Sequence, residues 1–294
     1  SCLLGTNQNQ TFNIYKGIGS NGKSLIVQLM SKVLGQYKGT VPFALLTQKR
    51  SSIGSTSSEI VQLMGVRYAV MQEPSKGDKV NEGIMKEITG GDPIQGRALF
   101  KDTVTFVPQF KLVVCTNVDI EFMSNDDGTW RRIRVCDFES KFVDNPGSDP
   151  KYPLSRFPHQ FKKDKSLENK LDAWAPLLAS HLVEMAYERQ GDVSDCAEVM
   201  SSSNRYRERQ DTMSEFARDC LKAEDGAKAT KNDLLERFNV WKKNMGGLRI
   251  PVRDMMEFMT KTYGPPDWHG IRVKYENDDV EDQGDVAFGN GNPG

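Results

Sequence analysis

The residues with the most chemistry to offer are Gly17-Ile18-Gly19-Ser20-Asn21-Gly22-Lys23-Ser24. Glycines at this spacing let the backbone curl until successive N–H groups face one anion, and a helix starting just after them adds positive potential. A lysine at the seventh position reaches β- and γ-phosphates, and the hydroxyl that follows it suits Mg²⁺. Every fixed position of a Walker A pattern is filled. Gly17, Gly19, Ser20, Asn21, Gly22, Lys23 and Ser24 are therefore the expected ligands of a nucleoside triphosphate, with Ser24 on its Mg²⁺.

Three later positions add to this. Glu73 ends a hydrophobic run, where a carboxylate is placed to polarise an attacking water. Asn117 ends the next apolar run and suits a hydrogen bond to the γ-phosphate or to that water. Arg131-Arg132 stands on a loop before a strand, where a guanidinium can be offered to a neighbouring subunit's nucleotide. Taken singly, each has a plainer use, as a solvated acid, a turn residue or surface charge. Their order after the glycine-rich loop joins them.

Those residues need a scaffold that brings them together. A strand-like run, Thr11 to Tyr15, precedes the loop, and Leu25 to Met30 opens a helix after it. Val66 to Met71, Phe110 to Cys115 and Ile133 to Phe138 read as further strands, with a helix over Glu82 to Thr89. This alternation is that of an α/β fold with a parallel sheet. Asp144 to Phe161 reads as a surface loop. From Leu167 to Gln190 apolar residues recur at helical spacing, and Ser201-Ser202-Ser203-Asn204 reads as a polar break. Beyond it come three short helices (Phe216 to Leu221, Leu234 to Trp241, Met255 to Tyr263) and a strand at Gly270 to Tyr275, the pattern of a small winged-helix-like domain. The expected division is a core over 1–142, a connecting loop and helical segment over 143–203, the small domain over 204–275, and a disordered tail over 276–294.

With 294 residues, 37% hydrophobic and 27% charged, the composition is that of an ordinary soluble protein. No run approaches the roughly 18 apolar residues of a membrane span, and no signal peptide is expected. The five cysteines form no CxxC pair, which reads as reduced thiols inside a cell, and the three histidines are too far apart for a zinc site. The net charge of −1 carries no global signature of nucleic acid. A ring can nevertheless confine its positive charge to a central channel. The start at Ser1-Cys2, without methionine, reads as a piece excised from a longer polypeptide.

Several segments together resemble superfamily 3 helicases, and within them the primase-helicases of poxviruses and other nucleocytoplasmic large DNA viruses. They are residues 17–24, Gln72-Glu73-Pro74, the run from Lys86 to Ile94, Phe106 to Lys111, Thr116-Asn117 and Gly128 to Ile133. The resemblance is dense over residues 5 to 142 and looser through Tyr206-Arg207 and Gln210-Asp211. It implies a P-loop NTPase core of AAA+ type and an ATP-driven homo-hexameric ring. Such a ring translocates on single-stranded DNA and unwinds a fork at the viral replication site or in the host cytoplasm, with a primase region upstream. By the same resemblance Lys23 and Ser24 hold phosphate and Mg²⁺, Glu73 is the catalytic acid, Asn117 the sensor, and Arg131 or Arg132 the finger acting in trans. The segment Arg97 to Asp102 resembles the superfamily's DNA-contacting hairpin, with Lys101 for a phosphate and Phe100 as its apolar flank. One departure stands out. Many members carry two acids at the Glu73 position, but here Gln72 takes the first place, so Glu73 serves both the Mg²⁺ and the attacking water, or Asp92 or another acid assists. A P-loop scaffold for assembly or packaging, without unwinding, is the alternative from another class.

Overall fold

The computed structural model describes residues 1–47, 56–71, 73–74, 78–122, 126–246, 250 and 252–274. Gln72, Tyr275 and the expected tail lie outside the described residues. The chain divides into two units, Ser1–Gln210 and Asp211–Gly294.

The first unit is built in the order β1 (Phe12–Lys16), α1 (Lys23–Leu34), β2 (Lys38–Val41), α2 (Ala44–Thr47), α3 (Ser58–Val61), β3 (Tyr68–Met71), β4 (Lys79–Val80) and α4 (Glu82–Thr89). It continues with β5 (Ile94–Arg97), β6 (Thr103–Phe106), β7 (Lys111–Thr116), β8 (Glu121–Phe122), α5 (Asp127–Trp130), β9 (Ile133–Asp137), β10 (Lys141–Val143), β11 (Gln160–Lys162), α6 (Leu167–Arg189) and α7 (Ala197–Gln210). Its main sheet has the order β2-β3-β7-β1-β9, and every pairing in it is parallel. The expected α/β fold with a parallel sheet is thus present. Strand β7 is buried on both faces, which is why Lys111-Leu-Val-Val-Cys-Thr116 reads as a nearly continuous apolar run. On one face Phe12, Ile14, Leu112, Val114 and Val135 join the main core. On the other, Val113 packs with Leu34 and Tyr68.

In-register pairing decides where the site forms. Lys16 lies beside Thr116 on one side and Asp137 on the other, so β1, β7 and β9 end level with one another. The loops leaving these strands gather at the carboxyl edge of the sheet, where parallel sheets hold ligands.

The first unit departs from expectation in three places. The polar break at 201–204 is the middle of helix α7, and Ser202 and Ser203 are buried. The Ser203 hydroxyl accepts a hydrogen bond from Val135 N at 2.9 Å and donates to Val199 O at 2.8 Å. Small side chains let the helix close against edge strand β9 and satisfy one of its amides. Further along α7, the fully buried Tyr206 accepts from Ile120 N at 2.6 Å and donates to Ile120 O at 2.9 Å. Residues 204–210, expected in the small domain, therefore belong to the first unit. The loop expected over 144–161 also contains the start of β11, which pairs in parallel with β10.

The second unit runs α8 (Thr212–Cys220), β12 (Leu221–Ala229), α9 (Lys231–Asn244), α10 (Val252–Tyr263) and β13 (Trp268–Val273). Strand β12 lies where the sequence pattern carries no strand signal. Its residues, Leu-Lys-Ala-Glu-Asp-Gly-Ala-Lys-Ala, have little strand propensity and are held by antiparallel pairing with β13. Phe216, Phe238, Trp241 and Trp268 form the core of the unit.

Candidate nucleotide site

The loop between β1 and α1 turns on left-handed residues: Gly19 at φ 38°, Ser20 at 52° and Gly22 at 89°, the last serving as N-cap of α1. Such a succession aims backbone N–H groups into one concavity. At Gly17 both conformation and space require glycine: its φ is 156°, and a Cβ would lie 2.7 Å from the Phe138 carbonyl oxygen.

Lys23 begins α1, and its buried side chain folds back under the loop. Its ammonium donates to Gly17 O, to Asn21 Oδ1 at 3.3 Å and to Asn117 Oδ1 at 3.0 Å. Gly19 N–H also donates to Asn117 Oδ1, at 3.4 Å. One side-chain oxygen therefore receives both the lysine and a loop amide, the pair of donors that an anionic oxygen attracts. Asn117 in turn donates to Glu73 Oε1 at 2.8 Å. The start of α1 and the ends of β7 and β3 are joined by a chain from Lys23 through Asn117 to Glu73. Burial holds the Lys23 pKa below the usual lysine range, opposed by the Cys115 thiol and the Glu73 carboxylate.

These groups open into a cleft of about 970 Å³ that Ser24, Glu73, Phe142 and Lys163 also line, enough for a nucleotide-sized ligand. Ser24 and Glu73, the two expected Mg²⁺ ligands, thus share one cleft. Among the described residues there is no group of three or more His, Cys, Asp or Glu able to hold a metal by itself. Asp92, considered as an assisting acid, is exposed beyond the end of α4 and does not line the cleft.

Arg131 and Arg132 do not join this constellation. They precede β9, and Arg132 O accepts from Phe12 N at the start of β1. That is the amino edge of the sheet, one full strand from the loop, or about 16 Å for five extended residues. The two differ in setting. Arg132 is 8% exposed, donates to Gly128 O at 2.5 Å and Gln10 Oε1 at 3.0 Å, and has its pKa lowered, chiefly by burial. Arg131 is exposed and donates to the same Gln10 oxygen at 2.8 Å.

Phe100 and Lys101 lie at the tip of the β5–β6 hairpin, whose register pairs Ile94 with Phe106 and Arg97 with Thr103. Arg97 Nε donates to Lys101 O at 3.1 Å across the tip. Phe100 takes a left-handed φ of 57° and is 92% exposed, and Leu99 beside it is 62% exposed.

Sequence reasoning missed Lys141. It is only 3% exposed, and its ammonium donates to the loop carbonyls of Ile18 at 3.0 Å and Gly19 at 2.8 Å. A lone lysine between Ser140 and Phe142 carries no signal in the linear chain. Gln10, whose carboxamide joins the two arginines, was missed for the same reason.

Among known proteins, a family model described as a family of unknown function (DUF5906) matches residues 15–132. A protein named "Putative helicase" in Acanthamoeba polyphaga mimivirus is 34% identical over 88% of this chain and 28% of its own length. One of the same name in Frog virus 3 is 32% identical over 81% of this chain and 25% of its own. One named "Putative primase" in African swine fever virus is 27% identical over 69% and 21%. This chain is a homologue of those large-DNA-virus proteins. The resemblance to viral primase-helicases of superfamily 3 is consistent with these relatives. The chain spans about a quarter of the length of the relatives it matches. The apo structure of the NrS-1 C-terminal region aligns with a TM-score of 0.48 at 13% identity, over 87% of this chain and 55% of that one. Among the described residues no helix is long and apolar enough to cross a membrane.

Proposed function

We propose that this chain is the ATP-hydrolysing motor segment of a viral replicative DNA helicase, working in a homo-hexameric ring on single-stranded DNA at the fork. The observation that carries this is a division of the site between two edges of one sheet. Lys23, Asn117 and Glu73 meet at the carboxyl edge, while the arginines stand at the amino edge, out of reach of their own loop. A copy of the chain completes its site only by borrowing a neighbour's arginine. Exposed Arg131 is that finger, and buried Arg132 holds it in place through Gln10.

In this reading the loop amides and Lys23 hold the β- and γ-phosphates. Glu73 takes a proton from water as the water oxygen bonds to the γ-phosphorus and the bridging P–O bond breaks, releasing ADP and phosphate. Asn117 is released from Lys23 by the phosphate and aligns that water. Mg²⁺ on Ser24 and Glu73 supplies charge neutralisation at the phosphate oxygens. Phe100 and Lys101 on the hairpin meet the DNA, the ring for stacking and the ammonium for a phosphate. The second unit, with α8, α9, α10 and the β12–β13 ribbon, is read as winged-helix-like. The names of the viral relatives support a role in DNA replication and a primase region elsewhere in the full protein.

The test is ATP hydrolysis by the purified chain with and without single-stranded DNA. Stimulation by DNA together with strand separation supports the motor. Hydrolysis indifferent to DNA supports the assembly scaffold instead.

A further inference from the structure

The carbonyls of three consecutive loop residues are taken by one short strand. Lys141 Nζ donates to Ile18 O at 3.0 Å and to Gly19 O at 2.8 Å, and Phe142 N donates to Ser20 O at 2.8 Å. Just upstream, Asn21 Nδ2 donates to Phe138 O at 3.4 Å. In a planar trans peptide the C=O of one residue and the N–H of the next point to opposite sides. Holding the carbonyls of residues 18 to 20 on β10 therefore turns the N–H groups of residues 19 to 21 the other way. Gly19 N–H, shared with Gly17 O at 3.1 Å, reaches Asn117 Oδ1 on the cleft side at 3.4 Å.

The lysine is itself held. Its ammonium lies 4.2 Å from the centre of the Tyr152 ring and 5.7 Å from that of Phe157. A cation on aromatic faces, with two carbonyls as acceptors and almost no exposure, is fixed in one place. This setting is poorly explained as surface charge, because burying an ammonium is costly unless its partners do something with it.

We propose that Lys141 is a positioning residue for nucleotide binding: it latches the glycine-rich loop with its amides toward the phosphate chain, and Tyr152 seats the latch. The inference rests on the loop being a nucleotide site, and it adds a second lysine outside the Walker A pattern, acting on the loop from behind. Lys141 makes its bonds to the loop backbone and leaves the phosphates to Lys23. It should thus serve the bound substrate and the transition state alike, a uniform effect that shows in KM more than in kcat.

The experiment compares the chain carrying Lys141→Met with the parent, titrating fluorescent N-methylanthraniloyl derivatives of AMP, ADP and ATP and following ATP turnover. Methionine keeps the apolar length and removes both donors. Losing hydrogen bonds from a charged donor should weaken ATP binding and raise KM about tenfold or more, with kcat changed less than about threefold. The loss should grow from AMP to ATP, because more phosphate meets the loop. Lys141→Arg, which retains charge and donors, should recover part of the affinity. Unchanged ATP affinity in a folded Lys141→Met chain, or an equal loss for all three nucleotides, overturns the proposal while leaving the nucleotide site standing. A parent chain that binds none of the three overturns both. Should Lys141→Met fail to fold, Tyr152→Leu replaces it. It unseats the ammonium without deleting it, and a smaller loss graded in the same order is expected. No change there counts against the latch.

Discussion

The glycine-rich loop and the tip of the β5–β6 hairpin are both turns between elements of the first unit, and they are built in opposite ways. Around the loop, carbonyls, amides and side chains are bonded from β7, β9, β10 and α1, and Lys23 and Lys141 are buried. At the tip, Phe100 and Leu99 are displayed to solvent, and the Arg97 side chain braces the turn by donating to Lys101 O, while its backbone is tied to Ser57 below the tip. Transition-state charge demands donors fixed to fractions of an ångström, and that requires bonds from several elements. A strand of nucleic acid moving past demands reach and a sequence-tolerant surface, which a bare tip supplies. The contrast predicts that substitutions around the loop change turnover under all conditions, whereas those at the tip change only what depends on DNA.

The largest effect belongs to Lys23→Ala, which should bring phosphate release below detection with or without DNA, since in the proposed site the lysine would meet the phosphates where charge develops. Wild-type turnover in that variant would remove the loop from the chemistry altogether. Next, Arg131→Ala should lower turnover by about 10³-fold, as for a finger acting in trans. Mixed with Lys23→Ala, it should regain activity at the interface that joins an intact loop to an intact arginine. Arg132→Ala should instead lower the melting temperature, because it takes the guanidinium donor from Gly128 O and leaves the Gln10 carboxamide oxygen to Arg131 alone. Failure of every mixture to recover activity would make Arg131 structural as well.

Glu73→Gln should bind ATP and hydrolyse it at least about 10²-fold more slowly, because an amide cannot accept the proton. The amide still accepts from Asn117, so the fold should be undisturbed, and thermal melting checks that. The smallest effect, and the one that separates the two regions, is at the tip. Lys101→Ala should weaken single-stranded DNA binding and reduce the slope of log K against log salt by about 0.7 for each phosphate no longer neutralised. Fluorescence anisotropy across a salt series measures this. Basal turnover without DNA should stay the same, and a fall in it would mean that the tip supports the nucleotide site too.

Much of the loop is legible in the linear chain. Residues 17 to 24 are contiguous, so backbone geometry within eight residues suffices to name their chemistry, and helix α4 ends at Gly90-Gly91 as its glycines imply. Helix α6 is legible as a helix, but not for its burial. Of its periodic apolar residues only Leu171 is buried, while Leu177 is 70% exposed. Periodicity reports a face and says nothing of what covers it. The serines at 201–203 mislead in the other direction. Small polar residues signal a loop when nothing packs on them, and they signal close approach when an edge strand needs an acceptor.

By itself the sequence determined the elements whose signals are local: the glycine-rich turn, the apolar strands, the long helix, and the residue types able to bind phosphate. Only the tertiary structure decided which of these meet. Asn117 touches Lys23 across a separation of 94 residues because β1 and β7 pair in parallel and in register. The same register sends Arg131 and Arg132 to the far edge, where one is exposed and the other buried. Lys141 finds the loop carbonyls because β10 passes beside them. Such distances are set by strand pairing and burial, which sum over many residues far apart in the chain, so no short window of sequence contains them.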